Sequence, residues 1–517
     1  MIHFFLGLAI SLATWFGLRW VSGAWPFGRD PAIRPIALLL DLFPCIAGFG
    51  LFLMPTGRPI LAGLTLMCLG LGMGVADRVK RAVLGEPVVF ADRAELIEVV
   101  RHPRLYLAFV GTWRMVLATL ALSLAVLWLV ELEPPLWPVD LLHLVVLAIV
   151  AIVVGRLLFV IPSSRPLCDR LAAFYRTLEP SRDPETDAAR FGLLATCIIH
   201  ATLARSERAE RQRAAQARTW PALPANGPIL IVQGESFVDA RRLDPELANH
   251  LPNFAKLQAE AAQYGKLAVP CWGANTIRSE LAVLTGLGAE DVGLDRFNPY
   301  EHFARVPLPS LAHQARAAGY RTLCIHPYDA DFYYRDKVMP LLGFDRFIGI
   351  EGFEGAVRSG PYVSDIAVAE CVARHVRELG PRVLVFAITM ENHGPWDAEH
   401  DPLPPALLPD SWRSLPDASE VGRWLKHLQS TDAMIPILRD AIAATGSPGW
   451  LVFYGDHQPS LNGAFRAPGA DDRRSDYAIW GSAAAPGSCA DIAAEEIAAA
   501  LMKAMGVPEA SRDVQPA

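Results

Sequence analysis

Two apolar segments of this chain end in side chains of the kind that bind divalent cations. The run 228–232 leads to Glu235, and the run 450–454 leads to Asp456 and His457. Apolar, partly β-branched runs of this length predict buried parallel strands, and the carboxyl edge of such a sheet is where ligands bind in open α/β folds. Two carboxylates and one imidazole can hold a divalent cation there. The sequence therefore predicts a metal site built from distant parts of the chain.

A hydroxyl that such a cation would activate is supplied by Thr276. Shortly after it, Leu281, Leu284 and Leu287 recur at helical spacing, which predicts that a helix begins just after Thr276. The start of a helix offers free amides and the positive end of the dipole, and both favour a bound phosphate or a developing alkoxide. A cation also lowers the pKa of a coordinated hydroxyl. Thr276 is therefore a candidate cation ligand and a candidate nucleophile toward phosphorus.

Each of these residues also has a purely structural interpretation. A threonine near a helix start is often a cap, a Gly-Asp-His sequence is often a turn, and Glu235 could be an ordinary carboxylate at a strand end. The four residues together are much more specific than any one of them, and this favours the catalytic interpretation.

The elements that would position these residues alternate between short apolar runs and helical stretches from Gly227 onward. The predicted strands are 229–232, 266–269, 322–325, 383–388, 451–454 and 477–480. The predicted helices are 251–264, 310–319, 366–379 and 421–445. This alternation predicts an α/β domain with a mainly parallel sheet between helices.

The first third of the chain carries most of its apolar excess and predicts a helical transmembrane domain. Hydrophobic residues make up 52% of the 517 residues, and five apolar runs approach or exceed the roughly 20 residues that cross a bilayer. These runs are 1–20, 35–55, 60–76, 105–130 and 139–161. The first is predicted to be a retained helix, because no signal-peptide cleavage site follows it. The expected domains are a transmembrane domain of about five spans at 1–161, a connector at 162–225, a catalytic domain at 226–506 and a flexible tail at 507–517.

Three segments of the chain each leave a question open. The loop 77–104 is rich in Lys and Arg, so the positive-inside tendency makes it cytoplasmic and, with five spans, places the C-terminal part inside as well. The segment 191–204 is either a sixth short membrane segment or an interfacial or buried helix. The end of the connector either forms a solvated helix or lies against lipid phosphates through its arginines. Those arginines are Arg205, Arg208, Arg211, Arg213 and Arg218.

The charge and the cysteines argue against two other classes of protein. The formal net charge is −7 with no basic excess, so nucleic acid is not an expected partner. None of the 8 cysteines forms a C-x-x-C pair, so neither a zinc knuckle nor a dense disulfide framework is indicated.

Several motifs of the chain resemble the lipoteichoic acid synthase group of the alkaline phosphatase/sulfatase superfamily. The motifs are Gly234-Glu235-Ser236, Thr276-Ile277-Arg278-Ser279-Glu280, the segment 326–336 followed by Gly343-Phe344-Asp345, Glu391-Asn392-His393-Gly394-Pro395-Trp396, and Gly455-Asp456-His457. The resemblance covers 227–481 strongly and the apolar front end loosely. It implies an alkaline phosphatase-like α/β catalytic domain that follows a membrane domain.

The resemblance also implies a role for each matching residue, with Thr276 as the covalent nucleophile. The implied ligands of one divalent cation, manganese or alternatively magnesium, are Glu235, Thr276, Asp456 and His457. The implied contacts with the lipid head group are His326, Arg335, His393 and Tyr333. The residue types agree with these roles, because Arg presents paired donors to phosphate and His can bind phosphate or protonate a leaving alkoxide. The family often carries Trp where this chain has Tyr333.

The implied reaction moves a phosphoglycerol head group from phosphatidylglycerol, through a phospho-threonine intermediate, to an envelope glycan or glycolipid. The family's catalytic domain faces outside, so we expect a multi-pass inner-membrane protein with an external catalytic domain, against the loop charges. The alternatives are phosphoethanolamine transfer, sulfatase-like hydrolysis and a catalytically degenerate lipid-binding regulator. A sulfatase would need a Cys/Ser-x-Pro-x-Arg motif, which the segment 271–275 does not match, and the intact set of candidate residues argues against a degenerate regulator.

Overall fold

A computed structural model of the chain describes residues 1–24, 34–103, 112–138, several positions between 140 and 149, 164–224, 226–396, 408–465 and 472–507. The chain divides into two compact units, Met1–Ala209 and Glu210–Ala517. The division falls within the predicted connector. The predicted tail, 507–517, lies outside the described residues except for Val507.

The first unit is helical. Its helices are α1 (Ile2–Val21), α2 (Arg34–Thr56), α3 (Pro59–Leu84), α4 (Glu95–Arg101), α5 (Thr112–Leu132), α6 (Arg165–Arg176), α7 (Pro184–Phe191) and α8 (Leu193–Gln216), the last of which continues into the second unit. Among the described residues, three helices are long and apolar enough to cross a membrane: α1, Pro35–Thr56 and α3. They correspond to the first three predicted spans.

The fourth and fifth predicted spans are described only in part. Helix α5 overlaps the fourth, 105–130, and ends just beyond it at Leu132; residues 105–111 fall outside the described residues. Most of the fifth, 139–161, lies outside them as well. The total of about five spans therefore stays a prediction.

A buried ion pair joins the first two membrane helices to the start of α8. Arg19 of α1 donates to Asp41 Oδ2 of α2 at 2.9 Å, and both side chains are almost fully buried. The other oxygen, Asp41 Oδ1, accepts the backbone N–H groups of Leu194 and Ala195 at 3.0 and 3.1 Å. Because the first amides of a helix have no partner within the helix, Asp41 caps α8 from a membrane helix. The segment 191–204 thus forms the end of α7 and the largely buried start of α8, which favours the buried-helix alternative.

The second unit is built around a mixed sheet. Its strands are β1 (Ile229–Gly234), β2 (Gln263–Ala268), β3 (Arg321–Ile325), β4 (Arg346–Ile348), β7 (Val383–Ile388), β8 (Trp450–Gly455), β9 (Ser475–Gly481), β10 (Ser488–Cys489) and β11 (Ile492–Ala493), and a separate hairpin pairs β5 (Arg358–Ser359) with β6 (Tyr362–Val363). The order across the sheet is β10-β2-β9-β8-β1-β7-β3-β4, with β11 also on β2. Strand β9 runs antiparallel to both of its neighbours, and the other strand pairs described in this sheet are parallel. The mainly parallel sheet expected from the sequence is confirmed, with one reversed strand.

Helices cover both faces of this sheet. They are α9 (Pro252–Glu260), α10 (Ile277–Thr285), α11 (Leu311–Ala317), α12 (Arg335–Leu341), α13 (Asp365–Leu379), α14 (Ala418–Ala443) and α15 (Ile497–Ala504), with one-turn helices at Ala289–Val292 and Asn462–Phe465. Alternate residues of β1 point into two separate apolar cores, Leu230 and Val232 into one, Ile229 and Ile231 into the other. This two-sided burial explains why the strand sequences are continuously apolar.

Helix α10 begins directly after Thr276, as predicted, but it is shorter than the leucine spacing suggested. Gly286 takes a left-handed conformation (φ +66°) and ends the helix after Thr285. Leu287 therefore lies beyond the helix, although it is still buried. Glycine is favoured at this C-terminal position because it adopts a positive φ without steric cost.

Two arginines at the end of the connector bind the loop that follows α10. Arg211 donates to the backbone carbonyl of Glu290. Arg218 donates to the carbonyl of Gly286 at 2.8 Å and to the carboxylate of Asp291. For these two arginines, the contacts favour a structural role over binding of lipid phosphates.

We predict that an aromatic cluster on one face of the sheet contributes strongly to stability. Phe237 packs edge-on against Phe254 and Phe453, with ring centroids 4.9 Å apart in both pairs, and all three side chains are fully buried. Phe254→Ala should lower the free energy of unfolding by about 3–5 kcal/mol, because it removes a large apolar side chain and leaves a cavity. Thermal unfolding of the purified protein measures this. The control is Leu379→Ala at a 40% exposed position, and equal melting shifts for both variants would contradict the prediction.

Candidate active site

Three predicted cation ligands come together at the carboxyl edge of the sheet. One ligand atom from each of Glu235, Asp456 and His457 lies within 4.8 Å of the others. The Nε2 atom of His457 is 3.5 Å from Glu235 Oε1 and 3.5 Å from Asp456 Oδ2. All three residues are buried. The predicted assembly of these residues from distant parts of the chain is therefore present in the structure.

Strand pairing explains why these residues meet. Strands β1 and β8 are parallel neighbours in a register that places Gly234 beside Gly455, so the residues that follow each glycine lie side by side. Neither glycine leaves room for a side chain. A Cβ atom on Gly455 would lie 2.0 Å from the carbonyl oxygen of Phe237, and one on Gly234 would lie 2.9 Å from Phe237 Cβ. Glycine at both strand ends therefore allows Phe237 to pack closely against them.

Ser236 holds both carboxylates in place, a role that was not assigned from the sequence. Its backbone N–H donates to Asp456 Oδ1 at 2.9 Å, and its hydroxyl donates to Glu235 Oε1 at 2.9 Å. Its backbone is left-handed, with φ +50°, which is uncommon for a residue other than glycine and marks local strain. The carbonyl of Ser236 accepts the indole N–H of Trp424 at 3.0 Å. These contacts fix one oxygen of each carboxylate and orient the other.

The three residues fit a divalent cation. His457 Nδ1 lies 2.9 Å from the carbonyl of Gln458, and a carbonyl only accepts, so Nδ1 carries the proton and Nε2 turns a lone pair toward the carboxylates. This arrangement is typical of metal-binding histidines. Asp456 Oδ2 is buried and accepts no hydrogen bond from any residue that the structure describes. Lone pairs that face one another in a buried site require positive charge between them.

The titration of these groups follows from the same geometry. Burial raises the pKa of Glu235, and the nearby carboxylate of Asp456 raises it further. Burial also raises the pKa of Asp456 well above its usual value. Burial lowers the pKa of His457, so its imidazole is neutral near pH 7. Because both carboxylates bind protons more readily than usual, a cation at this site competes with protons as the pH falls.

Thr276 is at the capping position of α10, but its hydroxyl does not cap the helix. Instead, Thr276 Oγ1 accepts a hydrogen bond from Arg335 Nη2 at 3.2 Å. Residues before and after Thr276 make hydrogen bonds to the loop that contains Asp456 and His457. Ser279 Oγ donates to the carbonyl of Asp456 at 2.7 Å, and Gly273 N–H donates to the carbonyl of Gln458 at 3.1 Å. The simple helix-cap interpretation of Thr276 is therefore wrong, because its hydroxyl makes no capping hydrogen bond.

Arg335 is almost fully buried and uses most of its donors within the protein. Its Nε donates to Glu280 Oε2 at 3.1 Å, and its Nη2 donates to Glu280 Oε1 at 2.5 Å as well as to Thr276. Its Nη1 donates to His326 Nε2 at 3.2 Å. An arginine has five N–H donors in all, so one is left for a phosphate oxygen. The side chain predicted to contact substrate therefore makes most of its hydrogen bonds to Glu280, Thr276 and His326.

His326 is a neutral imidazole in this arrangement. Arg335 donates to its Nε2, so that nitrogen carries no proton. Burial lowers the pKa of His326 well below its usual value, and the Arg335 charge lowers it further. A neutral, buried histidine is a weak proton donor, so His326 is better suited to orient Arg335 than to protonate a leaving group.

His393 lies in a loop that two helices anchor. Glu391, two residues earlier, accepts hydrogen bonds from the backbone N–H of Asp365 and the hydroxyl of Ser430, both at 2.7 Å. His393 Nδ1 donates to the carbonyl of Gly394 at 2.6 Å, which leaves Nε2 as the nitrogen able to exchange a proton. Burial raises the pKa of Glu235, and the positive charge of protonated His393 partly offsets this rise. The two side chains therefore interact electrostatically.

Tyr333 lies beside the buried arginine. Its ring centroid is 5.6 Å from the guanidinium carbon of Arg335. Tyr333 and Tyr334 both have left-handed backbones, with φ +54° and +59°, and Tyr334 immediately precedes α12. Strain at two consecutive residues other than glycine is unusual, and the buried Arg335 follows directly as the first residue of α12.

Glu280 is the main residue that the sequence analysis left without a role. It lies four residues after Thr276, so the two residues share one face of α10. It accepts hydrogen bonds from Arg335, and Tyr300 donates to its Oε2 at 3.1 Å. The i, i+4 spacing from the nucleophile was the signal in the sequence. The Arg335 partner was not visible there, because it comes from a different helix.

This fold and this site together define the alkaline phosphatase/sulfatase class of catalytic domain. The sequence model of the family described as Sulfatase matches residues 228–507, more than half of the chain, and the protein belongs to this family. The superfamily expected from the motifs is therefore confirmed.

Known proteins resemble the chain over different extents. It is 30% identical over 449 residues to the capsular polysaccharide biosynthesis protein RkpI of Rhizobium meliloti (strain 1021), covering 83% of this chain and 79% of that protein. The structure of the lipooligosaccharide phosphoethanolamine transferase EptA from Neisseria meningitidis has a TM-score of 0.54 at 13% identity, over 98% of this chain and 96% of that one. The lipoteichoic acid synthase LtaP from Listeria monocytogenes has a TM-score of 0.44 at 20% identity, over 58% of this chain and 78% of that one. At these identities the structural likeness concerns the fold alone.

We predict that cation binding weakens as the pH falls. The raised pKa values of Glu235 and Asp456 mean that these carboxylates take up protons at a higher pH than usual, and each proton that the cation displaces weakens binding by up to about tenfold per pH unit. Titration calorimetry with Mn²⁺ at about pH 8 and about pH 6 measures the difference. Asp456→Asn serves as the control without binding. An affinity that is unchanged between the two pH values would contradict the prediction.

Proposed function

We propose that this protein is a membrane-anchored, metal-dependent transferase that moves a phosphoglycerol head group from a phospholipid to an envelope glycan or glycolipid. A phospho-threonine at Thr276 is the intermediate. The proposal assigns Glu235, Thr276, Asp456 and His457 to the cation, and His326, Arg335, His393 and Tyr333 to the substrate side of the site.

One observation carries the proposal. The Thr276 hydroxyl does not cap its helix and instead accepts a hydrogen bond from a buried arginine, while its segment is bound to the loop that holds Asp456 and His457. An uncapped hydroxyl at a helix start, whose oxygen accepts a hydrogen bond from a fixed guanidinium N–H, is suited to act as an alkoxide nucleophile. A threonine that only capped the helix would not require this hydrogen bond from Arg335.

In the first displacement, Thr276 Oγ1 attacks the phosphorus of the lipid and its proton passes to water. The bond from phosphorus to the diacylglycerol oxygen breaks, and His393 Nε2 gives that oxygen a proton. Arg335 stabilises the Thr276 oxygen as charge develops on it. A divalent cation held by Glu235, Asp456 and His457 supplies Lewis-acid stabilisation of the alkoxide and of the phosphoryl oxygens when bound.

In the second displacement, an acceptor hydroxyl attacks the phosphorus of phospho-Thr276. His393 Nε2, now neutral, takes the proton of that hydroxyl, the bond from phosphorus to Thr276 Oγ1 breaks, and Oγ1 takes a proton from water. The arginine again faces the oxygen that bears charge. The two steps therefore use His393 first as an acid and then as a base, which returns it to its starting state.

Manganese is the proposed cation, with magnesium as the alternative. Magnesium is bound almost entirely through oxygen ligands and keeps several waters. The site combines two carboxylates with a correctly oriented imidazole nitrogen, and a mixed set of this kind suits manganese better.

The donor and acceptor are proposed from three further observations. The apolar helices of the first unit would keep the catalytic domain at a lipid surface. The motifs resemble enzymes that use phosphatidylglycerol, while EptA, which shares the fold, is named for phosphoethanolamine transfer. RkpI is named for capsular polysaccharide biosynthesis, which supports a glycan acceptor.

We predict that Thr276→Ala abolishes head-group transfer. Removing a covalent nucleophile should lower the rate by at least about a thousandfold. The full-length protein would be incubated with labelled phosphatidylglycerol or phosphatidylethanolamine, with and without Mn²⁺, and the peptide containing Thr276 examined by mass spectrometry. Only the phosphatidylglycerol reaction with Mn²⁺ should add mass to that peptide.

Thr276→Ser is the matched control, because it keeps the hydroxyl and should retain measurable transfer. Lipid turnover by Thr276→Ala would disprove the nucleophile assignment. Labelling of the peptide by phosphatidylethanolamine instead would change the donor while keeping the mechanism.

The catalytic domain is proposed to face the outside of the inner membrane, although the charges of the loop 77–104 favour the opposite orientation. Cys489 is exposed on this domain and provides a native handle for a test. A membrane-impermeant maleimide should label the protein in intact spheroplasts, and Cys489→Ser should remove most of that label. Labelling that requires lysis would place the catalytic domain in the cytoplasm.

A further inference from the structure

The ion pair between Glu280 and Arg335 is the most completely buried charge pair at the candidate site. The exposed fractions of the two side chains are 0% and 1%. The carboxylate binds the guanidinium through both of its oxygens, at 3.1 and 2.5 Å. Opposite charges in such contact neutralise each other, and burial makes their attraction stronger than it would be in water.

The partners of Glu280 hold this carboxylate in one position. Tyr300 donates to its Oε2 at 3.1 Å, and Gln233 Nε2 lies 3.5 Å from its Oε1. Gln233 is held in turn by the hydroxyl of Tyr454 at 2.5 Å. The network links Glu280 to both β1 and β8, the strands that lead to Glu235 and Asp456.

The pair has a consequence for substrate charge. An arginine beside the nucleophile would normally add a full positive charge to the site, and this would favour phosphate groups with two negative charges. Here the charge is cancelled by Glu280, and one N–H of Arg335 is left to reach a phosphate oxygen. The guanidinium thus supplies hydrogen bonds without net charge.

We propose that Glu280 is a specificity-determining positioning residue, which neutralises Arg335 so that the site accepts monoanionic phosphodiesters and disfavours dianionic phosphomonoesters. This inference rests on the proposed function, because it concerns the substrates of that same site. Under the proposed mechanism, the donor lipid, the Thr276-linked intermediate and the product are all phosphodiesters. Each carries one negative charge on phosphorus, so a site of constant charge suits every step of the cycle.

The first experiment compares two chromogenic substrates that differ in charge. Full-length protein loaded with Mn²⁺ would be assayed at about pH 8 with methyl p-nitrophenyl phosphate, a monoanion, and p-nitrophenyl phosphate, a dianion. Glu280→Gln keeps the shape and an acceptor oxygen but removes the charge. The ratio of kcat/KM for the diester over the monoester should fall by about tenfold or more, because the dianion gains more from the uncovered arginine.

Tyr300→Phe is the matched control. It removes a hydrogen bond to the same carboxylate without changing any charge, so both rates can fall while their ratio stays within about threefold of the unmodified protein. A purely structural role for Glu280 would give the same result for Glu280→Gln, with both rates lowered alike and the ratio unmoved. That outcome would overturn the inference.

A binding measurement separates this inference from the proposed function. In the Thr276→Ala background, calorimetry would compare phenyl phosphate with methyl phenyl phosphate, so no turnover is needed. Adding Glu280→Gln should tighten phenyl phosphate by about tenfold relative to the diester. This result would support the charge inference even if no lipid head group were transferred, and an unchanged ratio would refute it even if transfer were observed.

The double variant Glu280→Gln/Arg335→Gln provides a second test, which does not depend on the stability of an unpaired buried arginine. It removes both charges, so the net charge of the site is unchanged and the binding ratio should stay within about threefold of the Thr276→Ala parent. A selective loss of phenyl phosphate binding of about tenfold would mean that Arg335 acts as an uncancelled charge in the native site, and the inference would be wrong.

Discussion

The active site depends on three buried groups that turn their lone pairs toward one point. Glu235, Asp456 and His457 repel one another in the absence of positive charge, and their burial prevents water from relieving that repulsion. The surrounding structure is arranged to keep them there. The glycines that end β1 and β8 let Phe237 approach closely, and Ser236 has a strained backbone while it orients both carboxylates.

A second polar network extends from this cluster to Thr276, the predicted nucleophile. Ser279 ties the first turn of α10 to the carbonyl of Asp456, and one turn of the same helix places Glu280 beside Thr276. Glu280 in turn fixes Arg335, which reaches back to the Thr276 hydroxyl. The candidate cation site, Thr276 and Arg335 are therefore coupled through one short helix, so that a shift of α10 would disturb all three.

Much of the fold could be predicted from the sequence, because β1, β7 and β8 are buried on both faces and read as continuous apolar runs. The direction of β9 could not, since an apolar pattern is the same for a parallel and an antiparallel strand. The glycine at the end of β1 and of β8 also pointed to the predicted cation ligands Glu235, Asp456 and His457, which the structure brings together. The contacts of Arg335 could not be predicted, because its main partner, Glu280, is distant in sequence. No local sequence pattern shows that a side chain predicted to bind substrate makes most of its hydrogen bonds within the protein.

The pairing of β1 with β8 also constrains the order in which the protein matures. These two adjacent strands are separated by roughly two hundred residues of chain, and contacts of such long range form late in folding. Glu235 emerges early in synthesis of the domain, yet Asp456 and His457 cannot join it until almost the whole domain has been made. The candidate cation site is thus completed only when these two strands have paired, and it cannot bind an ion through all three groups before that.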